Sequence, residues 1–301
     1  MSVYHLLRIA LVSLVCACAL QAHAAISCAL SSTSVNLNYV NGQGATSNAS
    51  GTITVNCTRL SSDANTQTYW VGIDFGTRTG TPRRVFRHGA ATAGADRLNV
   101  NIFKSGTGTE WTNTGNARVS GTLNFFTALS ASVVLTYDFQ VAAGQTSKTP
   151  GIYDEAFTAS LQLTTTGVVV STTTFTPTVS ITASCFVGQV ATGNQAPGAV
   201  SPSTLTLNYT SFAPTPQTAT MNFTVDCTRG TTYTLGLSMT SGTLLGLNYT
   251  LALSGTGATG TGLAQPYTVT GTIAAGQAGI CSRSTPVCTA TQSLVQLNVT
   301  Y

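Results

Sequence analysis

The chain has 301 residues, room for two modest domains. Only 7% are Asp, Glu, Lys or Arg and the formal net charge is +4, so no long-range field points to nucleic acid and few groups could serve acid–base catalysis. Hydrophobic residues make up 43%, with many Thr, Ser, Asn and Gly, which excludes a disordered chain and suits strands and turns.

The first element is a targeting segment, residues 1–24. Arg8 lies just before an apolar run at residues 9–20, and Ala22-His23-Ala24 reads as a cleavage site. The run is too short to span a bilayer, and polar residues interrupt every later apolar run. The mature chain is expected to begin near Ala25 and to be soluble once exported. Cleavage removes Cys16 and Cys18 and leaves Cys28, Cys57, Cys185, Cys227, Cys281 and Cys288. An even count in an exported protein implies disulfides. Zinc is the competing reading, but the mature chain has no C-x-x-C pair and one histidine, His88.

An internal repeat organises the rest. At a constant shift of 170 residues, Leu37, Asn38 and Tyr39 match Leu207, Asn208 and Tyr209. Thr54, Val55, Cys57, Thr58 and Arg59 match Thr224, Val225, Cys227, Thr228 and Arg229. Weaker echoes pair residues 69–73 with 233–237 and 142–145 with 274–277. Two long copies mean tandem domains of one fold. Within them Ile53, Val55 and Cys57 alternate with polar residues, as do Val133, Leu135, Tyr137 and Phe139, in part Phe157, Leu161 and Leu163, and finally Val295, Leu297, Val299 and Tyr301. Period two with turn residues between the runs is the pattern of antiparallel sandwiches.

The expected domains are residues 25–183 and 184–301. Between the clearest strands lie residues 168–183, with Phe175, Val179 and Ile181 on one parity. They could be a linker, but the alternation favours a strand that completes the first domain. The repeat also selects one of the fifteen possible cysteine pairings: Cys28 with Cys57, Cys185 with Cys227, Cys281 with Cys288.

An ordered series of residues points to a family. It runs Cys28, Gly51-Thr52-Ile53-Thr54-Val55-Asn56-Cys57, Ile73-Asp74-Phe75-Gly76, Arg84, Leu98-Asn99-Val100-Asn101-Ile102-Phe103, Trp111, Gly121 and Gly151-Ile152-Tyr153-Asp154. The chain resembles the spore coat protein U domain family, found in subunits of archaic chaperone–usher pili. The resemblance covers residues 26–165 well and 185–301 loosely, because the second copy lacks the Gly-x-Tyr-Asp element and has Cys281 and Cys288 there.

That resemblance implies an all-β chain of two tandem immunoglobulin-like antiparallel sandwiches, the second lacking one strand. The implied partners are a periplasmic pilus chaperone, an outer-membrane usher and a next subunit that donates a strand. Strand donation pairs an open edge and fills a groove with alternate side chains. Val295, Leu297, Val299 and Tyr301 would form the strand gripped by chaperone or subunit. Only Ala25, Ile26 and Ser27 separate the expected cleavage from Cys28, too few for a donor strand of about five or six residues. With the two-domain layout, this favours the pilus tip, reached through the periplasm, and a role in attachment and biofilm formation. The first domain would then hold the binding site for an abiotic or host surface.

Candidate sites are few. His88 lacks a carboxylate partner in sequence, and Asp154 and Glu155 would point to opposite faces of a strand. No hydrolase, metalloprotease or phosphate-loop motif occurs, and no enzyme, metal or cofactor is expected. Arg83, Arg84, Arg87 and Arg97 form a basic cluster that either meets anionic polymers or is a solvated loop of paired charges, and the second reading is favoured. Phe125, Phe126 and Leu129 lie between two expected strands, where exposed apolar groups would mark an interaction site. The plain alternative is that they are core strand. Trp111 is expected to be structural. The rival function is a secreted coat or matrix protein that self-assembles. A carbohydrate-processing enzyme is the third, disfavoured by the lack of titratable groups.

Overall fold

The computed structural model describes residues 26–78, 82–88, 94–189, 204–281, 287–292 and 295–301. The expected targeting segment, residues 1–24, lies outside them. Among the described residues the chain is all-β apart from two short 3₁₀ turns. Strands β1 (Ser27–Ser32), β2 (Asn36–Asn38), β3 (Ser47–Thr58), β4 (Thr66–Ile73), β5 (Arg84–Arg87), β6 (Arg97–Lys104), β7 (Val119–Asn124), β8 (Ser130–Val141), β9 (Gly151–Asp154), β10 (Phe157–Gln162), β11 (Val169–Phe175) and β12 (Thr178–Ile181) build a first sandwich. One sheet runs β1-β3-β8-β6-β5-β9-β12-β2 and the other β11-β10-β4-β7. Every pairing is antiparallel except β12 beside β2. Period-two alternation explains the layers. In β10, Phe157, Ala159 and Leu161 turn inward and are fully buried while the residues between are half-exposed.

Strands β13 (Cys185–Gln189), β14 (Gln217–Cys227), β15 (Thr232–Leu237), β16 (Ser241–Leu244), β17 (Leu247–Leu253), β18 (Gly257–Thr259), β19 (Gln265–Ile273) and β20 (Leu297–Thr300) form a second sandwich. Its sheets run β13-β14-β19-β17-β16 and β18-β15-β20.

The sequence repeat is a repeat of register. Cys28 faces Cys57 across β1–β3, Cys185 faces Cys227 across β13–β14, and both pairs are disulfides. Cys281 is bonded to Cys288. The Tyr39 hydroxyl accepts a hydrogen bond from the Gln145 backbone N–H at 2.9 Å, and Tyr209 accepts one from Gln277 at 2.8 Å. The two glutamine side chains then accept from the N–H groups of Asn99 and Asn248. By these registers β13, β14, β15, β17, β19 and β20 stand where β1, β3, β4, β6, β8 and β10 stand in the first sandwich.

Core volume is exchanged between equivalent pairs. Gly51 faces Tyr137, and a methyl group on Gly51 would overlap the Tyr137 ring. The equivalent pair is Met221 facing Val269. Gly51→Ala is therefore expected to destabilise the first sandwich by about 1–3 kcal/mol, as overpacking does. Combined with Tyr137→Val it should cost less than the sum of the two single changes. Urea unfolding of the four chains of the cycle measures this.

Candidate functional site

Four strands of the first sandwich have no counterpart strand among the described residues of the second: β2, β9, β11 and β12. In the first sandwich β11 pairs with the outer edge of β10, and β12 runs beside β2. This pair of strands turns Phe175, Val179 and Ile181 into the core, each buried, with Phe175 4.9 Å from Tyr137 and 5.9 Å from Phe157 between ring centres. Residues 168–183 thus form two strands on the first core where one was expected.

In the second sandwich β20 pairs with β15 on one side and is the last strand of its sheet. Residues 205–209, equivalent to Val35 and β2, form no strand. Val35 and Tyr39 are buried, but Leu205, Leu207 and Tyr209 are only half-buried. Gly271 and Val269 replace the buried rings of Phe139 and Tyr137. The cores differ accordingly. Among the described residues the first sandwich buries 27 apolar residues and the second nine, while nine and eleven half-buried ones pack on their main clusters. That inversion is the mark of a core with one side uncovered. Leu205, Met221, Leu237, Leu251, Leu253, Leu297 and Val299 are among its half-buried members.

The candidate site is therefore the outer edge of β20 and residues 205–209, where the described residues supply no strand like β11 or β12. Leu297 and Val299 turn toward the core, and among the described residues no strand pairs with the outer edge of β20. Val295 precedes the strand and is half-buried, and Tyr301 follows it and is exposed. Of these four, Leu297 and Val299 pack against the second core.

A second site lies at the end of the first sandwich where β3 and β7 finish. Phe125 is 1% exposed, a core residue, which removes it from any contact surface. Its N–H donates to Asn65 at 2.8 Å, and that bond turns the ring inward. Phe126, 79% exposed, sits in the left-handed region (φ 51°), and Leu129 is exposed beside it. Leu60 is exposed on the neighbouring loop, a residue sequence reasoning missed although it follows the matched Thr58-Arg59 pair. Arg59 ties the loops together. Its guanidinium lies over Phe125 at 5.5 Å and donates to the carbonyls of Asp63, Phe126 and Ala128 at 2.8, 3.2 and 3.1 Å.

The charged candidates are structural. Arg83 is buried and donates to the carbonyls of Ile73, Asp74, Ile102 and Trp111. Burial draws it down to about 10, against the pull of Glu110 and Asp74. Trp111 is buried and donates to Val71 at 2.8 Å. Arg87 pairs with Asp96 at 2.6 Å and His88 with Asp154 at 3.1 Å, so much of the basic cluster is neutralised locally. Arg84 and Arg97 are half-buried. Asp154 and Glu155 do not diverge as an ideal strand would require. β9 stops at Asp154, and both carboxylates reach Arg78, at 2.7 and 2.6 Å. Burial opposes ionisation of Asp154, but the bonds from His88 and Arg78 hold it below the usual carboxylate range.

Residues 14–160 match the model of the Spore Coat Protein U domain. This is a structural domain and not a catalytic one. The match ends inside β10, so β11 and β12 lie past it. The sequence matches no curated protein. Among solved structures, the chain is similar to the chaperone–tip adhesion subunit pre-assembly complex of the archaic chaperone-usher Csu pili of Acinetobacter baumannii. There the TM-score is 0.43 at 12% identity, over 91% of this chain and 98% of that one. It is also similar to the major subunit of aggregative adherence fimbriae type I of Escherichia coli, with TM-score 0.30 and 14% identity over 52% and 96% of the two chains. For the CupB6 tip adhesin of Pseudomonas aeruginosa the TM-score is 0.27 at 10% identity, over 49% and 42%. No helix among the described residues is long and apolar enough to cross a membrane.

Arg59→Ala is expected to raise amide exchange at Phe125 and Ala128 about tenfold, the lower end of what hydrogen bonds from a charged group contribute. Exchange in β10 should not change. Hydrogen–deuterium exchange of the wild-type and variant chains reads both.

Proposed function

We propose that this chain is the tip adhesin subunit of a chaperone–usher pilus, exported through the periplasm, which attaches cells to a surface and promotes biofilm formation. One observation carries the reading: among the described residues, the second sandwich has no strand at the position that β11 and β12 fill in the first. Three buried side chains, Phe175, Val179 and Ile181, do the closing there, and burying side chains of that kind stabilises by roughly 5–9 kcal/mol in total. Whole domains have only about 5–15 kcal/mol to lose. A second sandwich without such a strand is therefore marginal, and a strand from elsewhere completes it. A periplasmic chaperone would occupy that position first, and the next subunit's strand would replace it at the usher. The domain family and the pilus proteins to which the chain is similar agree with this.

The binding role falls to the first sandwich. Its apolar end carries Leu60, Phe126 and Leu129 and lies opposite the end that meets the second sandwich. At that junction a methyl on Gly262 would overlap the Ser147 backbone, and Thr149 approaches Gly230. The repeat puts Gly230 where the first sandwich has Leu60. The covered end carries glycine and the free end leucine, as an exposed binding end would.

Replacing Phe126 and Leu129 with Ser should leave the chain on the cell surface at wild-type level and remove most attachment to hydrophobic surfaces. Immunolabelling and an attachment assay on the same cells test this. Loss of the whole surface assembly would instead favour the self-assembling coat or matrix protein.

A further inference from the structure

The far end of the second sandwich repeats the end of the first that meets its neighbour, but with different side chains. In the first sandwich the loop after β8 has Gly144 and Ser147 at positive φ (70° and 57°) and carries Ser147 and Thr149 against the second sandwich. The loop after β19 follows the same course, with Gly276 and Gly279 at 76° and 70°. The repeat then sets Ile280 where Lys148 stands, beside the Cys281–Cys288 disulfide. In the facing turn the Gly42 N–H donates to the Gln145 carbonyl, and the Phe212 N–H donates to that of Gln277. Gly42 takes φ 76° without strain, whereas Phe212 is held at φ 60°. Phe212 is 69% exposed and Ile280 75%. Ser211 ties the turn to the Ala278 carbonyl at 2.6 Å, and the Ile280 N–H donates to Leu245, itself at φ 51°. Two large apolar side chains thus stand in water where the equivalent positions are glycine and lysine, on backbone that holds them out.

We propose that this end, Phe212 with Ile280, is a docking face for an immunoglobulin-like domain of the neighbouring pilus subunit, seated as the second sandwich is seated against the first. The proposal rests on the pilus reading given above. Its occupant follows from the junction within this chain, where the end loop of one sandwich lies on the loops after β14 and β18 of the next, Gly230 and Gly262. A strand held against the outer edge of β20 would bring its parent domain to this end. The contact is separate from strand pairing, since neither Phe212 nor Ile280 belongs to β20 or to residues 205–209. A second copy of this chain fits less well, because its own free end offers Leu60 and Phe126 in place of glycine loops.

The test places the photo-crosslinking residue p-benzoylphenylalanine in the full chain, expressed in cells that assemble the pilus. It is inserted at Phe212, at Ile280, at Tyr301 beside β20, and at exposed Thr107 as a control. Irradiation should shift the 212 and 280 chains, but not the 107 chain, to an adduct with a pilus subunit. Peptide mapping should place the bond on that subunit's loops equivalent to those of Gly230 and Gly262. The 280 probe covers the case in which the 212 chain does not fold. An adduct at 301 with none at 212 or 280 overturns the docking face and leaves the pilus reading standing. Adducts of 212 and 280 only with the chaperone, or with another copy of this chain, overturn it equally. No adduct with a pilus subunit at any position removes the pilus reading and this proposal together.

Discussion

The structure depends on one constraint: a sandwich needs a strand on every edge that borders its core. In the first sandwich β11 and β12 meet it from within the chain, by pairing with β10 on one side and β2 and β9 on the other. The second sandwich repeats the strands around that position, and its described residues place no strand there. The difference in core packing between the two halves follows from this. The first core is rich in buried rings, while in the second half-buried leucines, Leu205, Leu207 and Leu251, pack against Gly271 at the position of the Phe139 ring. Unpaired backbone beside half-covered apolar surface is an aggregation hazard for a lone chain and a binding site for an extended one.

The two ends of the first sandwich divide the remaining work. Its junction end uses Ser147, Thr149 and Asp96, and the second sandwich receives them with glycine loops and Arg229. Burial disfavours the charge on Asp96, but bonds from Arg87 and Thr149 and the nearby charges of Arg87 and Arg229 hold its carboxyl below the usual range. Its free end gathers Leu60, Phe126 and Leu129 on loops braced by a single guanidinium, Arg59. Since Arg59 and Arg229 are repeat partners, one arginine position braces a free end in one copy and faces an acidic neighbour in the other.

Much of the fold was legible in the sequence because period-two alternation and the register of the cysteines survive in both copies. Ile53, Val55 and Cys57 face inward as their spacing implies, and the same holds for Phe223, Val225 and Cys227. What was hidden arises where alternation breaks. Phe125 and Phe126 are adjacent and chemically alike, and only the bond from Phe125 to Asn65 at the end of β7 decides which one turns inward. Asp154 and Glu155 meet at Arg78 because β9 ends between them, and a strand end is the least legible feature of a short strand. Phe212 drew no notice, since its left-handed backbone shows only when the turn is laid over that of Gly42.

The central claim is that the second sandwich lacks the strand that β11 and β12 supply to the first. By the registers, Thr300 is equivalent to Gln162 and Tyr301 to Leu163, so residues 164–181 appended after Tyr301 would enter the open position as they do after β10. The decisive measurement is the thermal unfolding of this extended chain, disulfides intact, against the natural one. The account predicts that the transition of the second sandwich rises by more than about 10 °C, as several kcal/mol gained by a domain of this size would produce. An extension carrying Asp at the positions of Phe175, Val179 and Ile181 should give no rise. An unchanged transition with the unaltered extension would mean the second sandwich is complete as it stands, and would contradict the account.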